Sequence, residues 1–165
     1  MVKNDLKSLL LQEKPVKVLL TLKKENKPLY PAIISKKIDS TYAHTLNVIF
    51  KLNELKLVSF DEIGRVKFVK LTELGIETAD IIENLFYMAK LSELELELER
   101  LFEREIKGRL REQMDKNAIS KYLTSIRGEL TNLIAEKPQK IQELAKKLLK
   151  KVDDIWAEAT GLRPG

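Results

Sequence analysis

The chain has 165 residues, 44% apolar and 33% charged, with a formal net charge of +5; this balance excludes a disordered polyelectrolyte and suits one or two cored domains. It has no cysteine and one histidine, His44, which excludes disulfides, thiolate nucleophiles, Cys-based zinc sites and paired-histidine metal motifs. No glycine cluster cradles a phosphate and no apolar run nears the ~18–20 residues of a membrane span, so the composition points to a soluble, cytoplasmic protein without enzymatic activity, cofactor or metal.

Residues 5–12 are apolar but short, and read equally as a strand or as a turn and a half of helix. Pro15 suits a helix start, where its missing N–H costs nothing. Val16, Leu19, Leu20 and Leu22 then give a first helix its apolar face, ending near Lys24. After a polar break at Asn26–Pro28, Leu29 and Tyr30 read as a short strand. Pro31 opens a second helix whose inward face is Ile34 and Ile38. Asp39 and Ser40 supply a turn and an N-cap for a third helix over 41–55. Leu57 to Phe60 reads as a strand, Asp61 to Arg65 as a turn, and Val66 to Leu71 as the returning strand of a hairpin. Phe68 and Val69 interrupt the alternation, which predicts a bulge or a twist in the wing. Thr72 caps a following helix that begins Glu73-Leu74-Gly75.

No proline occurs between Thr72 and Met114, and an apolar series Leu91, Leu94, Leu98, Leu101, Phe102, Ile106, Leu110, Met114 keeps helical spacing. Residues 93–99 alternate Glu and Leu like a strand, but both are strong helix formers and the flanks are helical, so the segment reads as helix. Its continuity across Tyr87–Lys90 stays open. Asp115-Lys116-Asn117 reads as a turn. Two further stripes follow, Ile119 to Ile134 and Ile141 to Trp156, separated by Glu136-Lys137-Pro138, and short turns between them favour antiparallel neighbours. The expected domains are therefore 1–88, a helical region 89–160, and a flexible tail 161–165.

Net charge hides a pattern along this order. Residues 1–72 carry 14 Lys/Arg against 7 Asp/Glu, residues 73–105 carry 3 against 10, and residues 106–165 carry 13 against 8. A basic head favours a polyanion such as nucleic acid. The acidic segment is positioned to pair with basic helices of the same or a partner chain.

Helix, short strand, helix, turn, helix, hairpin, helix is the order of a winged helix-turn-helix domain. Leu52-Asn53-Glu54-Leu55-Lys56-Leu57-Val58 resembles the Leu-x-x-x-Gly-Leu-Val run that ends recognition helices in MarR-like regulators, with Lys56 where glycine is usual. Leu71-Thr72-Glu73-Leu74-Gly75 resembles their Leu-Thr-x-x-Gly after the wing, and Thr41-Tyr42-Ala43-His44 resembles the start of the recognition helix in archaeal winged-helix regulators. These similarities cover about residues 10–88. In layout, with a helical segment behind the winged head, the chain is similar to Lrs14-like and Sso10a-like archaeal regulators. The resemblance implies a mainly α fold with a small β-hairpin wing, followed by a helical coiled-coil or bundle region that reads either as a dimerisation module, the favoured reading, or as an effector or protein-docking domain.

Placed at 100° per residue, Ser40, His44, Asn47, Lys51 and Glu54 fall within roughly 80° of arc on the third helix. Tyr42, Thr45, Leu46, Ile49, Leu52 and Asn53 take the opposite face, expected to pack on the first two helices, with Val48 and Phe50 flanking it. A helix so divided holds the fold with one side and offers polar groups to base edges with the other. Asn47 can pair bidentately with adenine, and His44 can donate to a purine acceptor or a phosphate. Ser40 and Thr41 stand beside the helix-end amides, where a phosphate binds. Lys51 reaches a phosphate or guanine, Lys36 and Lys37 lie along the backbone, and Arg65 with Lys67 serves the minor groove from the wing.

The expectation is a sequence-specific double-stranded DNA-binding homodimer that regulates transcription, mainly by repression, on the nucleoid. An architectural or chromosome- or plasmid-maintenance DNA-binding protein is one alternative. A protein-binding winged helix in a replication or transcription assembly is the other. Nothing in the sequence supports a small-molecule effector.

Overall fold

The computed structural model describes residues 7–63, 66–135 and 137–161. Its elements run α1 (Glu13–Glu25), α2 (Pro31–Lys37), α3 (Tyr42–Glu54), β1 (Val58–Ile63), β2 (Val66–Leu71), α4 (Glu73–Glu105), a 3-10 turn (Arg111–Gln113), α5 (Lys116–Ile134) and α6 (Gln139–Thr160). The fold is a winged helix-turn-helix domain followed by a helical region. The chain divides into two units, Met1–Glu83 and Asn84–Gly165, and the divide falls within α4. No helix among the described residues is long and apolar enough to cross a membrane.

In the first unit, residues 7–10 are helical. Helix α1 starts two residues before Pro15, with Glu13 in its first turn and Lys23 and Lys24 in its last, charges that suit the helix dipole. It buries Pro15, Val18, Leu19 and Leu22. Val18 was absent from the predicted face, and Val16 and Leu20 are only half-buried. Pro31 is the first residue of α2, and Ile34 and Ile38 are both buried, as expected. The turn into α3 passes through Asp39 at φ 51°. The cap of α3 is Thr41 rather than Ser40: its hydroxyl accepts from the His44 N–H at 3.3 Å.

The hairpin register is one-to-one, from Val58 opposite Leu71 to Ile63 opposite Val66, so the predicted bulge is absent. Asp61, Glu62 and Ile63 belong to β1 and not to the turn. Adjacent apolar residues are accommodated by using both faces of β2. Val69 is buried, while Phe68 meets the exposed Tyr30 ring edge-on at 6.5 Å. Leu29 joins the outer edge of β2 by exchanging two backbone hydrogen bonds with Val69, at 2.9 and 2.8 Å.

Helix α3 ends on Lys56 at φ 59°. The Lys56 N–H donates to Asn53 O and the Leu57 N–H to Leu52 O, both at 2.9 Å, which is a Schellman closure built without its usual glycine. A left-handed backbone strains a side-chain-bearing residue, whereas glycine adopts it freely but loses more entropy on folding. The balance predicts that Lys56→Gly stabilises the first unit by about 0.5–1 kcal/mol, read as a higher urea midpoint at unchanged slope.

In the second unit, the C-terminal half of α4, α5 and α6 enclose one core centred on Leu94, Leu98, Ile119, Ile126, Leu130 and Val152. Helix α4 runs unbroken through Tyr87–Lys90 and stops at Glu105, so Ile106, Leu110 and Met114 do not continue it. The reason is local: Gly108 takes φ 73°, and the chain turns there. Asp115 is a helix cap and not part of a free turn, its carboxylate accepting from the Ala118 N–H at 3.0 Å. The acidic stretch of α4 finds basic and hydroxyl partners within its own unit. Lys151 pairs with Glu95, Lys90 bridges Glu93 and Glu129, and the Tyr122 hydroxyl donates to Glu97. That hydroxyl, partly desolvated and close to the carboxylate, is held above the usual tyrosine pKa. Of the predicted tail, residues 162–165 lie outside the described residues.

Candidate nucleic-acid interface

Helix α3 is anchored from one side and open on the other. Thr45, Val48, Ile49 and Leu52 are buried, and the Thr45 hydroxyl is satisfied by the Thr41 carbonyl at 2.9 Å. His44, Asn47, Lys51 and Glu54 are exposed in a row along the other side. Among the described residues, no hydrogen bond or ion pair engages the side chains of His44, Asn47 or Lys51. Ser40 is half-exposed beside Thr41, whose oxygen is already used by the helix cap.

The core face differs from the predicted one. Val48 lies within it, Leu46 and Asn53 are half-buried, and Tyr42 and Phe50 are exposed at 45% and 51%. The burial is centred closer to Val48 and Leu52 than an even split of the helix implies, so Tyr42, Leu46 and Phe50 turn toward the wing. With Tyr30, Pro31, Phe60 and Lys67 they line an open groove of about 360 Å³. Phe50 and Phe60 meet there at 5.8 Å with rings inclined by 49°. The Tyr42 phenol is held above its ordinary pKa by a hydrogen bond with Tyr30. The spacing of Tyr42, Leu46 and Phe50, each four residues from the next, was the available signal for this groove.

The basic residues fall into two groups. Lys36 and Lys37 are exposed at the C-terminal end of α2, and Lys37 pairs with Glu25 at 2.7 Å. Lys67 is exposed on β2 and pairs with Glu62 at 2.9 Å. Exposed pairs of this kind contribute little and exchange readily for a phosphate. Arg65, predicted for the wing tip, lies outside the described residues.

Two positioning residues escaped the sequence reading. The Lys14 ammonium donates to the carbonyls of Ile38 and Asp39 at 3.1 and 2.8 Å, fixing the turn that aims α3. Lys23 bridges Asp80 and Glu83 at 2.6 and 2.5 Å and ties α1 to α4. Desolvation lowers its pKa, but the hydrogen bonds with the two carboxylates outweigh this, and the net shift is upward. The contact is therefore intact at neutral pH, and its alkaline limit is set by that raised value, through which Lys23 loses its charge. Among the described residues, no group of three or more His, Asp or Glu side chains is arranged to hold a metal ion.

No protein-family model and no curated protein matches the chain. Two solved structures are similar to it. AF1382 from Archaeoglobus fulgidus is 27% identical, over 47% of this chain and 89% of its own, with a TM-score of 0.45. A point mutant of ZitR from Lactococcus lactis is 23% identical, over 72% of this chain and 74% of its own, with a TM-score of 0.43.

Proposed function

We propose that the protein is a sequence-specific double-stranded DNA-binding regulator of transcription, of the archaeal MarR-like or Lrs14-like winged-helix kind. It acts as a cytoplasmic, nucleoid-associated homodimer, more as a repressor than an activator, and performs no catalytic step. The observation that carries this reading is α3: a helix anchored by four buried residues whose opposite side presents His44, Asn47 and Lys51 free of partners among the described residues. A side chain with both an amide donor and an acceptor, held on a fixed helix, is what reading adenine in the major groove requires. Lys36, Lys37 and Lys67 flank it as phosphate contacts, with Ser40 and Thr41 at the helix start and Arg65 at the wing. Leu85, Phe86 and Met88 are exposed on α4 at the start of the second unit, apolar surface that supports self-association through the helical region.

Selecting a preferred duplex from random sequence and measuring affinity over a salt series tests the reading. Asn47→Ala is expected to weaken the selected site by about 1–3 kcal/mol and leave random duplex nearly unchanged. Arg65→Ala is expected to weaken both and to flatten the salt dependence by about one unit of slope. Equal binding of selected and random duplex by the wild type defeats the claim of specificity, and wild-type behaviour of both variants defeats the assigned face.

A further inference from the structure

We infer that the aromatic groove between α3 and the wing is a stacking site for one unpaired nucleobase of a DNA strand. This deepens the DNA-binding reading and rests on it. Three observations converge on the groove. Tyr42 and Phe50 leave large ring areas in water, where an apolar patch of this kind normally marks a binding surface. Phe50 and Phe60 lie 5.8 Å apart with rings inclined at 49°, so neither covers the other face to face. Among the described residues that line the groove, Lys67 is the charged one, and its exposed ion pair with Glu62 exchanges readily for a phosphate, which suits a ligand carried on a phosphate backbone.

Location selects the occupant. Phe50 is followed directly by Lys51 and lies roughly 60° around α3 from Asn47. A strand that leaves a duplex seated on His44, Asn47 and Lys51 passes the mouth of the groove, with Lys51 and Lys67 beside its phosphates. Base–aromatic stacking tolerates any base, because each has a π-face, and adjacent cations hold the backbone. The hydroxyls of Tyr30 and Tyr42, two residues of the groove lining, offer the base a polar edge. A groove of about 360 Å³ takes a single base with its sugar, and not a run of several.

The test measures binding of the full chain to the selected duplex, to the same duplex with a short oligothymidine extension, and to oligothymidine alone. The wild type is expected to bind the extended duplex about 10-fold more tightly than the blunt one, in line with one base stack. Phe50→Ala, Phe50→Leu and Tyr42→Ala should each lose most of that gain while keeping blunt-duplex affinity, and Phe50→Tyr should retain it. Equal wild-type affinity for blunt and extended duplex overturns the inference and leaves duplex binding standing. So does a gain that survives in both Phe50→Leu and Tyr42→Ala. Binding of oligothymidine that depends on Phe50, with no binding of duplex, supports the groove and overturns the duplex reading. If Phe50→Ala changes the mass in solution and not the preference for the extension, the groove holds a second copy of the chain and the inference fails.

Discussion

Gly75→Ala is expected to destabilise the first unit by about 3 kcal/mol, at the upper end of overpacking costs. A Cβ at position 75 would stand 1.9 Å from the Leu57 carbonyl oxygen and 2.9 Å from its carbon. These are backbone atoms, so no rotamer change relieves the clash. Nor is the Leu57 carbonyl free to swing away, because it accepts the Thr72 N–H at 3.1 Å. The Thr72 hydroxyl donates to the Lys56 carbonyl at 2.6 Å and accepts from the Gly75 N–H at 3.0 Å. Thr72 and Gly75 together fasten the start of α4 to the turn that ends α3 and begins β1. The substitution must separate these two backbones, which moves the wing relative to α3. Equilibrium unfolding in urea reads the stability, and affinity for the selected duplex reads the displacement. A stability loss below about 0.5 kcal/mol, the range of unremarkable surface changes, would show that the backbones are not in contact.

This geometry gives Leu71-Thr72-Glu73-Leu74-Gly75 a physical meaning. The threonine caps and tethers, and the glycine permits a close approach of two backbones. Such a pattern was legible because its cause is local and chemically narrow. The order of elements was legible for a similar reason: Pro31, Thr72 and the periodic Ile34 and Ile38 each fit few alternatives. The Glu-Leu alternation over 93–99 resolved as helix because every second leucine is not needed inside. Leu94 and Leu98 are buried while Leu96 is exposed. The misreadings arose where tertiary neighbours decide. Spacing alone placed Tyr42 and Phe50 near the core, yet the wing leaves them at an open groove. Helical spacing from Leu101 to Met114 concealed a turn that Gly108 makes with a positive φ. The contact of Lys14 with Ile38 and Asp39 spans 24 and 25 residues, a separation at which sequence pattern carries no information. For the candidate site, the exposed row on α3 was legible from its 100° period, whereas the groove needed β1 and β2 in place.

Leu130→Ala is expected to cost the second unit about 3 kcal/mol, because it removes a fully buried side chain and leaves a cavity that helices on all sides cannot fill. Leu130 has no exposed surface and lies within the core built from α4, α5 and α6. The chain supplies its own reporter. Its one tryptophan, Trp156, packs against that core, so tryptophan fluorescence follows the second unit alone. The core of the first unit is a separate cluster, built on Leu19, Ile34, Ile49, Leu52 and Val69. In the variant, the fluorescence midpoint should fall by the full 3 kcal/mol equivalent, while helix signal from the first unit persists to higher urea. That window isolates the proposed division of labour. If self-association belongs to the helical region, the mass in solution should halve within it. Affinity for a two-fold site should then drop toward that of a single head, since the second head no longer binds at high effective concentration. Specificity for the half-site should remain, because α3 and its supporting residues are still folded. A dimer that persists after Trp156 reports unfolding would instead place the association surface in the first unit, and a single coincident transition would show that α4 couples the two cores into one cooperative structure.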